Sequence, residues 1–116
     1  MELQVKKLLY DLDQAIELIN TFTQGKQLSD YETNALLRSG VEWQFEIMGE
    51  ALNRLKRIDP DTVARISDYQ RIIDFRNVLA RGYDVVSDEI VWDIVQNKLP
   101  ELRQNIDELK REFGVE

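Results

Sequence analysis

The chain has 116 residues, of which 43% are hydrophobic and 32% charged, and its net charge is −7. This composition excludes a disordered chain, and the length suits one domain over residues 1–116. Because cysteine and histidine are both absent, disulfides, thiolate zinc sites and a cysteine nucleophile are excluded, and we expect no metal and no cofactor. No apolar run is long enough for a signal sequence or a membrane span, so the expected location is the cytoplasm.

Positive charge is concentrated in the middle of the chain. Residues 1–53 carry 4 basic and 9 acidic side chains, residues 54–81 carry 7 and 4, and residues 82–116 carry 4 and 9. The net charges of the three segments are therefore −5, +3 and −5. A chain with this acidic net charge is not expected to coat nucleic acids in general. Its basic segment, residues 54–81, is either a solvated helix face or a local binding site for phosphate.

The first half of the sequence predicts two long helices. Apolar residues recur every three or four positions in the first of them, at Val5, Leu8, Leu12, Ile16, Ile19 and Phe22. Gly25 ends this helix. Ser29 and Glu32 have the spacing of a capping box, which predicts that the second long helix begins there. Asp59-Pro60 closes the second helix or caps a short helical turn.

The second half predicts two more helices. Ser67 to Gln70 has the pattern of another capping box, followed by a helix that ends near Gly82. The last helix starts near Ser87, and Pro100 leaves one carbonyl without its helical partner and bends the helix. No segment alternates as a strand does. The predicted fold class is therefore all-α, an antiparallel bundle of four or five helices.

The stretch FRNVLARGYD, residues 75–84, contains the pattern Arg-x4-Arg-x-Tyr and lies at a predicted helix end. Together with EIMGEALNRL, residues 46–55, and the run from Ile72 to Leu102, it resembles the HepT-like toxins of the HEPN superfamily. The resemblance extends over essentially the whole chain. It implies a HEPN-like helical bundle that acts as a homodimer and cleaves RNA, either tRNA or mRNA, without a metal.

In the family, Arg-x4-6-His motifs from two subunits meet in one cleft. Histidine exchanges protons near neutral pH, whereas arginine clamps phosphate oxygens with its forked donors. The resemblance places Arg76 on the motif arginine, Asn77 on its polar neighbour, Arg81 on the histidine position and Tyr83 on the motif tyrosine. It implies catalytic roles for Arg76, Asn77 and the Arg81 position, and we expect Arg71, Arg76 and Arg81 to bind RNA phosphate.

Arg81 is the departure from the family pattern. The guanidinium of arginine stays protonated throughout the physiological pH range and therefore cannot act as a general acid or base near pH 7. We expect this chain to bind RNA and scarcely to cut it. Arg81 is either a detoxifying substitution or the mark of a natural inactive homologue.

Tyr83 has its own implied role. In systems that resemble this one, an MntA-like nucleotidyltransferase antitoxin transfers AMP from ATP to the motif tyrosine and neutralises the toxin. An AMP group would add bulk and negative charge where RNA phosphate binds. The alternative function is a non-catalytic helical module that docks a nucleotidyltransferase and binds nucleotide phosphates.

Other residues have structural interpretations beside the functional ones. Arg76 could form an ion pair with Asp74, Asp84 or Glu89, and Glu50 could instead orient Arg76. Trp43 and Trp92 are interpreted as core or dimer contacts. Glu42, Glu46 and Glu50 recur every four residues, but carboxylate metal sites in helical bundles pair glutamate with histidine.

Overall fold

The part of the chain that the structure describes forms four long helical stretches with two short helices between them. The structure is a computed structural model that describes residues 2–81 and 87–115, without the side chains of Ala80 and Arg81. The helices are α1 Glu2–Thr23, α2 Leu28–Thr33, α3 Ala35–Ile58, α4 Pro60–Val63, α5 Tyr69–Arg81, α6 Asp88–Asp93 and α7 Leu99–Phe113, with a π-helical turn at Ile94–Lys98 joining the last two. The described residues contain no strand. The predicted all-α helical bundle is confirmed.

Helix α3 is the centre of the bundle. It packs against α1 on one side and α5 on the other, while α1 also packs against α7. The predicted stripe of α1 is confirmed, since Val5, Leu8, Leu12, Ile16 and Ile19 are buried and Phe22 is partly buried against the core. The largest buried side chains of α3, which include Phe45, Met48 and Leu52, fill the space between the flanking helices. None of the helices in the described ranges has the length and apolarity needed to cross a membrane.

The connection between α1 and α3 differs from the prediction. Gly25 has φ +74°, which is consistent with the predicted end of α1. The predicted capping box at Ser29 and Glu32 is wrong, because the box is formed by Gln27 and Asp30 and opens only the short helix α2. The long helix α3 begins after Asn34, whose side chain accepts a hydrogen bond from the backbone N–H of Leu37 at 3.1 Å. A second N-cap thus divides what the sequence suggested was one helix.

Asp59 and Pro60 behave as predicted. Asp59 ends α3 and caps α4, and its side chain accepts hydrogen bonds from the backbone N–H and the hydroxyl of Thr62 at 3.3 and 2.7 Å. Pro60 takes the first position of α4, where a missing N–H costs nothing. The short helical turn after α3 is confirmed.

The capping box predicted at Ser67 and Gln70 is wrong. The backbone N–H of Ser67 is donated to Asn105 Oδ1 at 2.9 Å, so it does not bond to the side chain of Gln70. Gln70 accepts from Lys56 and donates to Asp74. Helix α5 therefore begins at Tyr69 with its start tied to α7 by a tertiary contact, which a local pattern cannot reveal.

The last helical stretch begins as predicted and is interrupted near Pro100. The Ser87 hydroxyl accepts a hydrogen bond from the backbone N–H of Glu89 at 3.2 Å, which makes Ser87 an N-cap. The π-helical turn at Ile94–Lys98 precedes Pro100, and the Leu99 N–H is donated to the Ile94 carbonyl. Since proline cannot donate an N–H, a wider turn before Pro100 accommodates the missing hydrogen bond, while the predicted bend of the helix stays a prediction.

Candidate functional site

The residues of the quoted motif lie on the last two turns of α5 and beyond it. Arg76 is partly buried and Asn77 exposed. Arg81 is the last residue of α5, and its side chain lies outside the described part of the chain. Gly82, Tyr83 and Asp84 also lie outside the described residues. The described residues therefore include the arginine half of the motif.

Arg76 faces two carboxylates on the neighbouring helix α3. Its Nη2 lies 3.3 Å from Glu50 Oε2, and its Nε lies 3.9 Å from Glu46 Oε1. Glu46 and Glu50 are one turn apart, so they present their carboxylates on one face of α3. The suggestion that Glu50 orients the motif arginine agrees with this geometry, and Glu46 is a second partner that the sequence reasoning did not identify.

The two carboxylates lie along one edge of the Arg76 guanidinium. That edge is formed by Nε and Nη2, while Nη1 donates to the Oδ1 of Asn77 at 3.3 Å. Nε is buried and has no hydrogen-bond partner among the described residues. A movement of the Glu46 carboxylate by about 1 Å would complete this hydrogen bond. The Arg76 side chain is 30% exposed, so the guanidinium remains partly in contact with solvent.

Gly49 allows α3 and α5 to approach closely at Arg76. A Cβ atom built on Gly49 would lie 2.2 Å from Arg76 Cβ and 2.6 Å from Arg76 Cγ. No side chain larger than hydrogen fits there unless the helices separate. The sequence signal for this contact was a glycine inside a helical apolar stripe, directly before Glu50, and its role was missed.

A cleft of about 300 Å³ opens beside Arg76, between α1 and α3. Its lining consists of Leu8, Asp11, Trp43, Glu46, Ile47, Glu50, Ala51, Arg54 and Arg76. Three carboxylates and two guanidinium groups meet in it. Arg54 Nε lies 3.3 Å from Glu50 Oε1, so Glu50 bridges the two arginines. The cleft is thus a place where an arginine is held in position by acidic side chains and remains open to solvent.

The two tryptophans have different environments. Trp92 is half-buried and packs against the buried Tyr31, with ring centroids 5.6 Å apart. Trp43 is 60% exposed at the edge of the cleft. The interpretation of Trp92 as a core contact is confirmed, whereas Trp43 is not a core residue. A role for Trp43 as a dimer contact stays a prediction.

Burial also perturbs two acidic groups near Trp92. Burial raises the pKa of the Tyr31 phenol, and the neighbouring charges of Glu42 and Asp88 raise it further. The pKa of Glu42 is raised by burial and by Asp88. Both groups therefore favour their neutral forms more than they would in water. Tyr31 is the residue that packs against Trp92, and neither Tyr31 nor Glu42 lines the cleft.

Two further predictions concern charged residues. Arg71 is exposed, and its charge helps to lower the pKa of Asp68, behind the larger effect of Lys98. Arg71 does not line the cleft beside Arg76, so its membership of a phosphate site stays a prediction. Across the described ranges, no three acidic side chains are grouped to hold a metal ion. Glu46 and Glu50 instead face Arg76.

Comparisons with known proteins agree with the resemblance. Residues 12–109 match the family model described as "Ribonuclease HepT-like". The chain is 29% identical over 113 residues to a Methanocaldococcus jannaschii protein named "Gamma-glutamylcyclotransferase and putative RNase", with 97% of this chain and 50% of that protein aligned. It is 27% identical over 110 residues to the "Probable ribonuclease HepT" of Thermococcus cleftensis, with 91% of this chain and 96% of that protein aligned.

The chain thus spans half the length of the first of these relatives and nearly all of the second. No solved structure matches the chain. The family match covers most of the sequence, including α3 and the whole of the Arg76 motif, and it begins within α1. The chain belongs to the ribonuclease HepT-like family.

Proposed function

We propose that this chain is the toxin component of a toxin-antitoxin pair and binds RNA in the cytoplasm through the cleft beside Arg76. The observation that carries the proposal is the position of Arg76, held from α3 by Glu46 and Glu50 at the edge of a solvent-filled cleft. A guanidinium fixed in this way suits recognition of a phosphodiester.

The geometry leaves one edge of the Arg76 guanidinium for phosphate. Glu46 and Glu50 lie along the edge formed by Nε and Nη2. Nη1 and Nη2 each carry two hydrogens; Nη1 donates to Asn77 Oδ1, and Nη2 lies 3.3 Å from Glu50 Oε2. In this proposal the hydrogens not used in these contacts bind two phosphate oxygens as a fork. The carboxylates therefore orient the arginine without using all of its donors.

Cleavage needs more than this clamp. RNA hydrolysis without a metal requires a group that removes the proton of the 2′-hydroxyl and a group that protonates the leaving 5′-oxygen. Arg81 stands where the family has histidine, and a guanidinium cannot exchange these protons near pH 7. The proposal is accordingly a chain that binds RNA and cuts it weakly or not at all.

The active assembly in this proposal is a homodimer in which the motifs of two subunits face one another. Trp43 supports this view, because it is 60% exposed beside Arg76 in a chain of only 116 residues. Large exposed aromatic side chains are enriched at protein interfaces. Sedimentation of the wild-type chain and its Trp43→Ala variant would test this contact.

Replacement of Arg76 tests the phosphate clamp. We expect Arg76→Gln to weaken binding of a single-stranded RNA oligonucleotide by about 10- to 100-fold, because a charged bidentate contact is lost. Fluorescence anisotropy at fixed salt measures this effect. Arg111→Ala is the control, since it removes an exposed positive charge from α7, far from α5 in sequence.

The same binding measurement tests whether the phosphate site is Arg76 alone or extends to Arg71, which was predicted to bind RNA phosphate as well. Arg71→Ala should weaken binding only if the patch extends along α5. If wild type and Arg76→Gln bind RNA with equal affinity, and circular dichroism shows that both proteins are folded, Arg76 does not bind phosphate as proposed.

Tyr83 is the proposed site of neutralisation by an MntA-like nucleotidyltransferase. Incubation with the cognate transferase, ATP and magnesium should add about 330 daltons, or multiples of it, to the intact chain. Mass spectrometry measures the shift, and Tyr83→Phe should abolish it. A shift that survives Tyr83→Phe would place the modification elsewhere.

Docking of the transferase without modification or RNA binding would instead favour the non-catalytic module.

A further inference from the structure

A second groove adjoins the cleft of Arg76 on the surface between α1 and α3. It has a volume of about 400 Å³ and shares Leu8 and Arg54 with that cleft, so the two cavities lie side by side. Its other lining residues include Lys7, Arg57, Leu3 and Ile58. Among the described residues that line it, three are cationic and none is acidic. This groove differs from the first, where carboxylates outnumber guanidinium groups.

We infer that this basic groove holds the RNA strand beyond the phosphate bound at Arg76, an inference that rests on the proposed function. Lys7, Arg54 and Arg57 would contact successive phosphates of one single strand. The apolar side chains of Leu3, Leu8 and Ile58 would contact sugars and base faces. A mixed cationic and apolar lining is typical of surfaces that bind single strands without reading their sequence.

The ion pairs of the groove are weak enough to be replaced by phosphate. Lys7 Nζ lies 2.5 Å from Asp11 Oδ1, and Arg54 is 3.3 Å from Glu50. Both pairs join residues one helical turn apart, and the cationic side chains are 69% and 62% exposed. Exposed pairs of this kind contribute little to stability. Phosphate can therefore displace them at small cost.

Arg57 is the group most available to a ligand. It lies exposed in the last turn of α3 and makes no ion pair with another described residue. Its neighbour Lys56 donates to Gln70 at 2.7 Å, which explains Lys56 as a contact between helices. The same turn thus contains one basic residue with a structural partner and one without, and the second lines the groove.

The spacing along α3 fits a short run of nucleotides. Glu50, which holds Arg76, and Arg57 are separated by seven residues, or about 10 Å along the helix axis. A stacked strand advances about 3.4 Å per nucleotide, so this distance corresponds to about three nucleotides. Protein carboxylates could also bind the basic groups, but Arg54 lines both cavities, which favours a polyanion that extends from one to the other.

The test measures how the affinity for a 12-nucleotide single-stranded RNA depends on salt. We expect the double variant Lys7→Ala, Arg57→Ala to bind about tenfold more weakly at 100 mM salt. The plot of log affinity against log salt should become shallower by about 1.4, because each lost phosphate contact removes about 0.7. Arg111→Ala is a matched control, since Arg111 is likewise exposed in the last turn of a long helix.

The outcomes distinguish this inference from the proposed function. If Arg76→Gln loses RNA affinity while the double variant keeps the salt slope of wild type, RNA does not bind in the basic groove, and phosphate binding by Arg76 still stands. If only the double variant loses RNA affinity, RNA binds in the groove, and Arg76 does not bind phosphate as proposed. Unchanged RNA binding in the double variant, together with lost binding to phosphatidylserine vesicles, would overturn the inference and show that the groove takes a lipid surface.

Discussion

Arg81→His is expected to convert this chain into an active ribonuclease that arrests the growth of its host. Imidazole titrates near neutral pH and can exchange the protons that guanidinium cannot. General acid-base catalysis is worth about 10²- to 10⁴-fold, and RNA cleavage should rise by a factor in this range. The measurements are host growth without antitoxin, and the appearance of new fragments in RNA incubated with the purified protein. Cleavage by the variant should also change between pH 5 and 8, where histidine changes its charge.

Two controls show whether proton exchange is the cause. Arg81→Gln removes the positive charge without supplying an acid or base and should stay inactive. The double variant Arg76→Gln, Arg81→His should lose the gained activity if Arg76 binds the reacting phosphate. The proposal fails if wild type already cuts RNA as fast as Arg81→His. If Arg81→His is expressed in soluble form as well as wild type, yet neither arrests growth nor cuts RNA, the alternative function of a non-catalytic helical module is favoured.

Gly49→Ala is expected to destabilise the fold and to disturb the site at the same time. The added Cβ would lie 2.2 Å from Arg76 Cβ, which belongs to the rigid start of a side chain and cannot move without its helix. Overpacking of this kind costs about 1–3 kcal/mol, more than the gain of about 1 kcal/mol from replacing glycine in a helix. After this gain is subtracted, urea denaturation should show a net loss of as much as about 2 kcal/mol in the free energy of unfolding. RNA affinity should fall as well.

Gly40→Ala is the matched control on the same helix. A Cβ at Gly40 would meet only the ring of Phe22, at 3.3 Å, and that ring is partly buried. The helix gains from losing a glycine, so the variant should stay within about 1 kcal/mol of wild type. If Gly49→Ala proves as stable as Gly40→Ala, the close approach of α3 and α5 does not constrain the site as described.

The features that the sequence predicted correctly depend on local or periodic patterns. The stripe of α1, the turn at Asp59 and Pro60 and the cap at Ser87 follow from residues within one or two turns of each other. The family resemblance, and not the spacing alone, singled out Arg76, and the 3.3 Å contact with Glu50 agrees with the suggestion that Glu50 orients it. These predictions needed no knowledge of how distant segments pack.

The predictions that failed depended on choices between competing local signals or on tertiary contacts. Gln27 and Asp30 form a capping box that competes successfully with Ser29 and Glu32. Ser67 donates to Asn105, 38 residues away, which no local pattern reveals. Glu46 as a partner of Arg76, the steric role of Gly49 and the basic groove all arise where helices from different parts of the chain meet. A sequence provides the residue types for such contacts but not their juxtaposition.

The contact between Gly49 and Arg76 has a further consequence for recognition. The stem of Arg76 is packed against the backbone of α3, and its head is held by two carboxylates from the same helix. An arginine side chain loses about 2 kcal/mol of conformational entropy when it is immobilised. Here most of that loss occurs when the chain folds and does not have to be repeated when a ligand arrives. Gly49, which makes no contact with RNA in this arrangement, would thus increase the affinity of the site by making its arginine rigid in advance.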